Sequence, residues 1–293
     1  MKNLIYLFAC IGILSISLVS CDVVEEPFTY AKQEVNDSCE AYIFKPHTGQ
    51  YTRKVLLEDY TGHMCSNCPR AAEKAKELKE IYGEQLITIA VHAGFSARLN
   101  EPHFTTDFTT ETGEKWDKRF GISRAGNPNG MVNRIGYPEA NHILGDDQWA
   151  QIVEEQTQRS ATIGLQLKAS HNENANLICI DVQTEILEST SDALRLNIVL
   201  VEDGIISYQK DNSTEGKIPD YEHNHVMRKS LTGEMGNDLK QETYTKGDYL
   251  LNRYSTEIDE SWNVNQIAVI AFVSHAETSE VLQVEEVHLK GSK

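Results

Sequence analysis

The sequence is poor in basic residues. Of its 293 residues, 27 are Lys or Arg and 44 are Asp or Glu, which gives a formal net charge of −17. A chain with this balance repels phosphate groups, whereas nucleic-acid binding depends on neutralising them. The composition therefore excludes DNA and RNA as expected partners.

The sequence also has few residues at the spacing that a metal site requires. A structural zinc site needs four ligands at suitable spacing, but the chain has one CxxC motif, no second one and no HxxxH. His63 beside the CxxC brings the local ligands only to three. His223 and His225 could share a strand face and bind copper or zinc, but such histidines more commonly make ordinary hydrogen bonds at a strand edge or in a polar loop. We expect no metal and no cofactor.

Long apolar runs are missing beyond the N-terminus. Residues 4–14, LIYLFACIGIL, follow Lys2 and are too few to span a bilayer, but they suit the apolar region of a signal peptide. The letters LVSC that end at Cys21 resemble a bacterial lipobox, in which that cysteine becomes the acylated first residue. An ordinary signal peptide with a chance cysteine is the alternative. We expect a signal peptide over residues 1–20 and an acidic, lipid-anchored segment over residues 21–48, at the outer membrane.

Export changes what the remaining cysteines can do. Disulfides persist outside the cytosol, so Cys39, Cys65, Cys68 and Cys179 can all be paired, in three connectivities. Cys65 and Cys68 are close enough for the tight ring of a redox pair, which leaves Cys39 with Cys179. Two unrelated free thiols at these last positions fit the sequence equally well.

Residues 49–160 alternate short apolar strands with helical patterns, which predicts an α/β domain. The expected strands are residues 54–61 and 86–94, with a further strand and turn over residues 130–138. The expected helices are residues 69–85, 113–122 and 146–159. Strand, helix and strand in that order predict a parallel βαβ unit with a right-handed crossover.

Residues 161–293 lose the helical pattern and alternate strand-like segments with polar turns. Leu194, Leu196, Ile198 and Leu200 mark one buried strand face. Several short strands at this spacing predict an antiparallel β-sandwich of the immunoglobulin-like kind. Residues 208–224, YQKDNSTEGKIPDYEHN, are polar and are expected to form a long loop.

The CxxC lies between a strand and a helix. Cys65 follows the strand ending near Thr61, and Pro69 suits the first turn of the helix that comes next. The N–H groups and dipole of a helix N-terminus stabilise a thiolate, so Cys65 is expected to have a lowered pKa and to act as nucleophile. Cys68, one turn further, is the expected resolving thiol.

This order of strand, CxxC and helix resembles the thioredoxin superfamily, and the resemblance implies further site residues. Asp59 stands six residues before Cys65, where the superfamily has a buried carboxylate that exchanges a proton with the resolving cysteine; Glu58 is the competing candidate. Pro128, in the stretch GISRAGNPNGMVNR, would be the cis-proline opposite the CxxC.

Three residues would contact substrate if the resemblance holds. The backbone of Asn127, with Pro128, would hold an extended substrate chain, and Met64 replaces the aromatic residue usual before the first cysteine. Ser and Asn between the two cysteines replace the usual Gly-Pro, which changes how strongly the thiolate is stabilised.

Together with VHAG at residues 91–94 and HNHVMRKSL at residues 223–231, these motifs make the chain resemble the lipoproteins related to outer membrane protein 28 of Gram-negative anaerobes. The resemblance spans nearly the whole chain. It implies a thioredoxin-like domain followed by a β-rich domain.

Two functions fit the sequence. The first is a lipid-anchored thiol–disulfide oxidoreductase whose partners are thiols and disulfides of exported proteins or peptides. The second is a non-catalytic surface-binding or adhesion lipoprotein that uses its C-terminal sandwich, with the CxxC serving as a structural disulfide. A zinc half-site is the least favoured interpretation of the CxxC, because the ligand set is incomplete.

Overall fold

The structure is a computed structural model that describes residues 28–30, 36, 38–139, 141–213, 216–239, 241 and 243–289. The predicted signal peptide and the predicted lipidation site Cys21 lie outside these residues. No helix in the described ranges is long and apolar enough to cross a membrane.

The described chain is a mixed α/β structure with many strands and few helices. The helices are α1 (Cys68–Tyr82), α2 (Glu111–Phe120), α3 (Ile122–Ala125) and α4 (Trp149–Thr157). The strands are β1 (Phe28–Tyr30), β2 (Val55–Thr61), β3 (Leu86–His92), β4 (Asn129–Val132), β5 (Ile163–Asn172), β6 (Leu177–Ile186), β7 (Leu194–Glu202), β8 (Ile205–Asp211), β9 (Gly216–His223), β10 (Val226–Ser230), β11 (Asn237–Asp238), β12 (Tyr249–Glu257), β13 (Ile267–His275) and β14 (Val281–His288).

The predicted βαβ unit is confirmed. β2 and β3 pair in parallel over their full lengths, from Val55 opposite Leu86 to Thr61 opposite His92. α1 connects them, and β4 adds antiparallel to the other side of β2. Every residue of β2 is buried, as expected for a central strand with packing on both faces.

The large sheet contains strands from both predicted domains. Its order is β14-β13-β7-β10-β3-β2-β4, with β11 paired to β7. The link is β10, which pairs in parallel with β3 and antiparallel with β7. A smaller sheet has the order β1-β12-β6-β5. The sequence did not predict that strands on both sides of residue 160 would share a sheet; the domain boundary itself stays a prediction.

Three apolar clusters hold these layers together. One contains Leu194, Leu196, Ile198 and Leu200 of β7 and lies between the large and small sheets, so the predicted buried face is confirmed. A second places α2 against the large sheet, and it draws residues from β2, β3, β7 and β13. The third places α1 and α4 on the opposite face of β2. The βαβ unit is thus packed on both faces.

Residues 208–224 do not form the expected loop. β8 and β9 pair antiparallel as a hairpin that forms a two-stranded sheet of its own. The prediction was wrong because the residues that β8 buries are Ser207, Gln209 and Asp211, so there is no apolar alternation to recognise. These polar side chains are directed at other polar groups and not at an apolar core.

Candidate redox site

The CxxC occupies the turn between β2 and α1. Cys65 and Cys68 form a disulfide with their Cα atoms 5.4 Å apart. Asn67 is the N-cap residue, so Cys68 is the first residue of α1 and Pro69 follows it in the first turn. The structure therefore places the pair at a helix N-terminus, the position from which the sequence predicts thiolate stabilisation.

The turn is held in place by backbone contacts. The N–H of Cys65 donates to the carbonyl of Gly62 at 2.9 Å, and the N–H of Met64 donates to the carbonyl of Ser96 at 2.9 Å. A Cβ at Gly62 would lie 2.4 Å from the Ser96 carbonyl carbon, so only glycine allows this close approach. The conformation of the CxxC is thus tied to the segment after β3.

The β8–β9 hairpin covers this turn. The side-chain amide of Gln209 donates to the carbonyl of Cys65 at 2.9 Å. Backbone N–H groups of Lys210 and Asn212 donate to the carbonyls of His63, at 2.8 Å, and Ser66, at 3.0 Å. Cys65 is consequently 6% exposed and Cys68 2% exposed.

The hairpin contacts were missed by sequence reasoning. They come from a segment more than 140 residues after the CxxC in the chain. The only trace in the sequence is the spacing of Ser207, Gln209 and Asp211, polar residues that alternate as they would in a strand with one polar buried face.

Asp59 lies in β2 under α1. It shares a strand face with Val55 and Leu57, which pack against α1. Burial, and to a smaller degree the charge of Asp146, raises the pKa of Asp59 to about 7. Its Oδ1 is buried without a hydrogen-bond partner among the described residues. Asp59 also lines a cleft of about 550 Å³ that Glu73 and Tyr221 border.

Glu58, the competing proton acceptor, has another role. Its two carboxylate oxygens accept hydrogen bonds from Nε and Nη2 of Arg134 at 2.8 and 2.7 Å. Both side chains are buried, and the guanidinium also lies 4.6 Å from the ring centroid of Trp116. Glu58 is therefore committed to an ion pair on the face of β2 opposite to Asp59.

The predicted substrate-binding residues lie around the end of β2. The Asn127–Pro128 peptide bond is cis. β4 pairs Asn129 with Tyr60, so the next position in the register brings Pro128 to the end of β2, where the CxxC turn begins. Met64 is half-buried and its Sδ accepts a hydrogen bond from the side-chain amide of Asn100 at 3.4 Å. Binding of substrate by Asn127, Pro128 and Met64 stays a prediction.

Three histidines are buried next to the CxxC turn. His63, His92 and His223 surround Phe108, with ring centroids 5.8, 4.7 and 4.5 Å from the centroid of Phe108. Burial lowers the pKa of each, well below the usual value for His92 and to about 4 for His223. These histidines are therefore neutral core residues near pH 7.

His223 and His225 do not act as a pair. His223 is buried at the end of β9, whereas His225 is partly exposed beyond it and its Nδ1 lies 3.2 Å from Asp203. Within the described ranges, no group of three or more His, Cys, Asp or Glu side chains is arranged to hold a metal ion.

The second cysteine pair lies far from the CxxC. Cys39 and Cys179 are joined by a disulfide that connects the segment before β2 to β6. Arg253 of β12 donates to the carbonyl of Cys39 at 2.8 Å and pairs with Asp181. This disulfide links the N-terminal segment covalently to the small sheet.

Two solved structures have a similar fold. HBP35 of Porphyromonas gingivalis is 18% identical with a TM-score of 0.63, over 84% of this chain and 78% of that one. Protein AGR_C_4864 from Agrobacterium tumefaciens is 10% identical with a TM-score of 0.51, over 84% of this chain and 98% of that one. A domain of the outer membrane lipoprotein Omp28 from P. gingivalis is 21% identical with a TM-score of 0.31, over 45% and 92%.

The family comparison decides the classification. No curated protein matches the chain. The sequence model of the family described as outer membrane protein Omp28 matches residues 114–293, which is more than half of the chain. The predicted family and the outer-membrane location are both confirmed by this match. The chain belongs to the Omp28 family of outer membrane proteins.

Proposed function

We propose that this protein exchanges thiols and disulfides with exported proteins at the outer membrane, using Cys65 and Cys68. The observation that supports this function most directly is the Cys65–Cys68 disulfide at the N-terminus of α1. Asp59 is buried beneath the same helix, and its Oδ1 has no hydrogen-bond partner in the described part of the chain. A nucleophilic cysteine, a resolving cysteine and a proton carrier are the three groups that such exchange requires.

From the disulfide state, the exchange begins with a substrate dithiol. A substrate thiolate attacks Sγ of Cys65, the Cys65–Cys68 bond breaks, and a mixed disulfide forms. Cys68 leaves as a thiolate and takes the proton from Asp59. The second substrate thiolate then attacks the substrate sulfur of the mixed disulfide, and Cys65 leaves as a thiolate. The substrate loses two electrons to the cysteine pair, and its two thiol protons pass to solvent.

The reverse sequence reduces a substrate disulfide and needs the same groups. Cys65 thiolate attacks the substrate disulfide, and Cys68 resolves the mixed disulfide after giving its proton to Asp59. The two reduction potentials, of the cysteine pair and of the substrate, decide which direction is followed. The cleft beside Asp59 gives the carboxylate a path for exchanging its proton with solvent.

The proposal also includes the domain boundaries, the substrate-binding residues and the lipid anchor. Residues 49–160 would form a thioredoxin-like domain, with Asn127, Pro128 and Met64 binding the substrate chain. Residues 161–293 would form a β-sandwich, one of whose layers continues into the large sheet. Cys21 would carry the lipid anchor that holds the protein at the membrane.

Two cysteine variants test the function. Cys65→Ser should abolish oxidation of a dithiol peptide by the purified protein. Cys68→Ser, incubated with a peptide that contains a disulfide, should trap a mixed disulfide between Cys65 and the peptide that electrophoresis without reductant reveals. The matched control is Cys39→Ser with Cys179→Ser, which removes the other disulfide and should leave the exchange rate unchanged. Undiminished exchange by Cys65→Ser would contradict the proposal.

Burial of Cys65 favours a second candidate function. A sulfur covered by the β8–β9 hairpin is shielded from other proteins, as a structural disulfide would be. The chain would then be a surface-binding lipoprotein in which the CxxC only fixes a turn. Equal binding of an envelope or host ligand by wild type and by Cys65→Ser with Cys68→Ser, together with no exchange activity, would support this alternative.

A further inference from the structure

A second cleft lies beside the CxxC turn. It has a volume of about 330 Å³ and opens between the hairpin and the segment around residues 100–104. Its lining residues are Met64, Asn100, Glu101, His103, Phe104, Lys210, Gly216 and Lys217. Because Met64 directly precedes Cys65, a chain bound in this cleft would lie next to the reactive sulfur.

Two lysines form the hairpin wall of the cleft. Lys210 of β8 is directly opposite Lys217 of β9 in the hairpin register, and both side chains are exposed. Like charges in opposite positions destabilise a strand pair. Among the described residues neither lysine forms an ion pair, while the chain as a whole has a net charge of −17. The hairpin wall of the cleft is thus basic, on a protein that is acidic as a whole.

The other wall of the cleft combines the apolar side chains of Met64 and Phe104 with polar Asn100, Glu101 and His103. Phe104 is buried at its base and Met64 is half-buried beside it. The N–H of Met64 donates to the carbonyl of Ser96, which brings the segment with Phe95 and Leu99 alongside. These two side chains are 73% and 55% exposed, so they leave apolar surface accessible next to this wall.

We infer that this cleft recognises exported protein segments in which a cysteine is flanked by acidic and apolar residues. This inference rests on the proposed function, and it adds the class of substrate. The acidic side chain binds between Lys210 and Lys217, where it relieves their repulsion, and the apolar side chain contacts Met64 and Phe104. Glu101, on the wall opposite the hairpin, repels a negative charge of the bound segment. The acidic residue of that segment therefore lies on the hairpin side.

Binding of two fluorescent peptides to the full chain in detergent tests the inference without needing redox activity. Both carry the same apolar residues and a serine in place of cysteine, and they differ only in having two Asp or two Lys flanking residues. We expect wild type to bind the Asp peptide about tenfold more tightly, because complementary charges act at short range here. The preference should shrink as salt rises.

Charge-reversal variants identify the residues responsible. Lys210→Glu with Lys217→Glu should reverse the preference, and Lys210→Gln with Lys217→Gln should abolish it with less risk to the hairpin. The matched control is Lys118→Glu with Lys246→Glu, which changes the net charge equally at two exposed positions elsewhere and should keep the preference.

The outcomes separate this inference from the proposed function. Equal binding of both peptides by wild type, or an equal loss in the Lys118 and Lys246 control, would overturn the inference even if Cys65 proves reactive. A clear preference for the Asp peptide, combined with an unreactive Cys65, would support the cleft and overturn the exchange function.

Discussion

At the scale of single residues, two adjacent carboxylates acquire opposite roles. Glu58 and Asp59 follow one another in β2, so their side chains point to opposite faces of the sheet. Glu58 pairs with Arg134, whereas Asp59 is buried under α1 and pairs with no basic side chain within the described ranges. The sequence could name both as candidates, but only the three-dimensional position of Arg134 distinguishes them.

Asp59→Asn should change the pH dependence of stability. The pKa of Asp59 rises from 3.8, its value in an unfolded chain, to about 7 in the folded protein. The contribution of this group to the free energy of unfolding is therefore fully present below pH 3.8 and is lost as the pH rises through 7. A tenfold change in the acid dissociation constant on folding corresponds to about 1.36 kcal/mol of stability. We therefore expect wild type to lose free energy of unfolding between pH 4 and pH 8 relative to the variant, as measured by urea titration.

The same variant should slow exchange near neutral pH, because the proton of Cys68 loses its acceptor. We expect a decrease of about 100-fold in the resolution rate, the lower end of the usual range for general acid–base groups. Identical pH profiles for wild type and Asp59→Asn, in both rate and stability, would remove Asp59 from the mechanism.

Glu58→Gln should lower the free energy of unfolding. It leaves the Arg134 guanidinium buried without its counter-charge, and breaking a buried ion pair in this way costs about 3–5 kcal/mol. Chemical denaturation measures the loss. Glu73→Gln, on the exposed face of α1, is the control and should change stability by less than about 0.5 kcal/mol.

At the scale of secondary-structure elements, the β8–β9 hairpin covers the CxxC turn. Two-stranded hairpins are marginally stable by themselves, so its position depends on what it contacts. Gln209 supplies side-chain hydrogen bonds to the carbonyls of Cys65 and Gly62, at 2.9 and 3.4 Å. The hairpin can therefore be loosened without altering either cysteine.

Gln209→Ala should make the Cys65–Cys68 disulfide easier to reach. Loss of these hydrogen bonds should destabilise the packing of the hairpin against the CxxC turn by about 1 to 2 kcal/mol. We therefore expect the rate of disulfide reduction by a small phosphine to rise about tenfold. Asp220→Ala, at an exposed position of β9, should leave the rate unchanged. Equal reduction rates in wild type and Gln209→Ala would show that the hairpin does not limit access.

Elements with an apolar period were predictable, and the one with a polar buried face was not. β2, α1 and β3 were recognised because Leu56, Ala71 and Ile89, and others like them, recur at strand or helix spacing. The hairpin buries Ser207 and Gln209 against the CxxC turn, so its sequence resembles that of a solvated loop. Contacts between polar backbone groups leave no hydrophobic signal.

At the scale of the whole molecule, the large sheet makes the two predicted domains interdependent. β10 lies between β3 and β7, and one apolar cluster includes Ile89 of β3 together with Val199 of β7. The sequence predicts a helical part before residue 160 and a strand-rich part after it, and all four α-helices of the described ranges lie before that residue. It could not show their joining, because strand order depends on contacts between residues far apart in the chain.

The protein should consequently unfold in one cooperative step. We expect tryptophan fluorescence and far-ultraviolet circular dichroism to give coincident urea transitions, since Trp116 and Trp149 lie in different clusters that share the same sheet. Two separated transitions would instead indicate two domains with independent cores.

The central claim is that Cys65 and Cys68 are a redox-active pair, and their reduction potential tests it most directly. Equilibration of the protein with glutathione buffers, followed by thiol alkylation, gives this value. We predict a potential between about −270 and −120 mV, the range of thioredoxin-like oxidoreductases. A disulfide that stays oxidised to below about −300 mV, as structural disulfides do, would contradict the account.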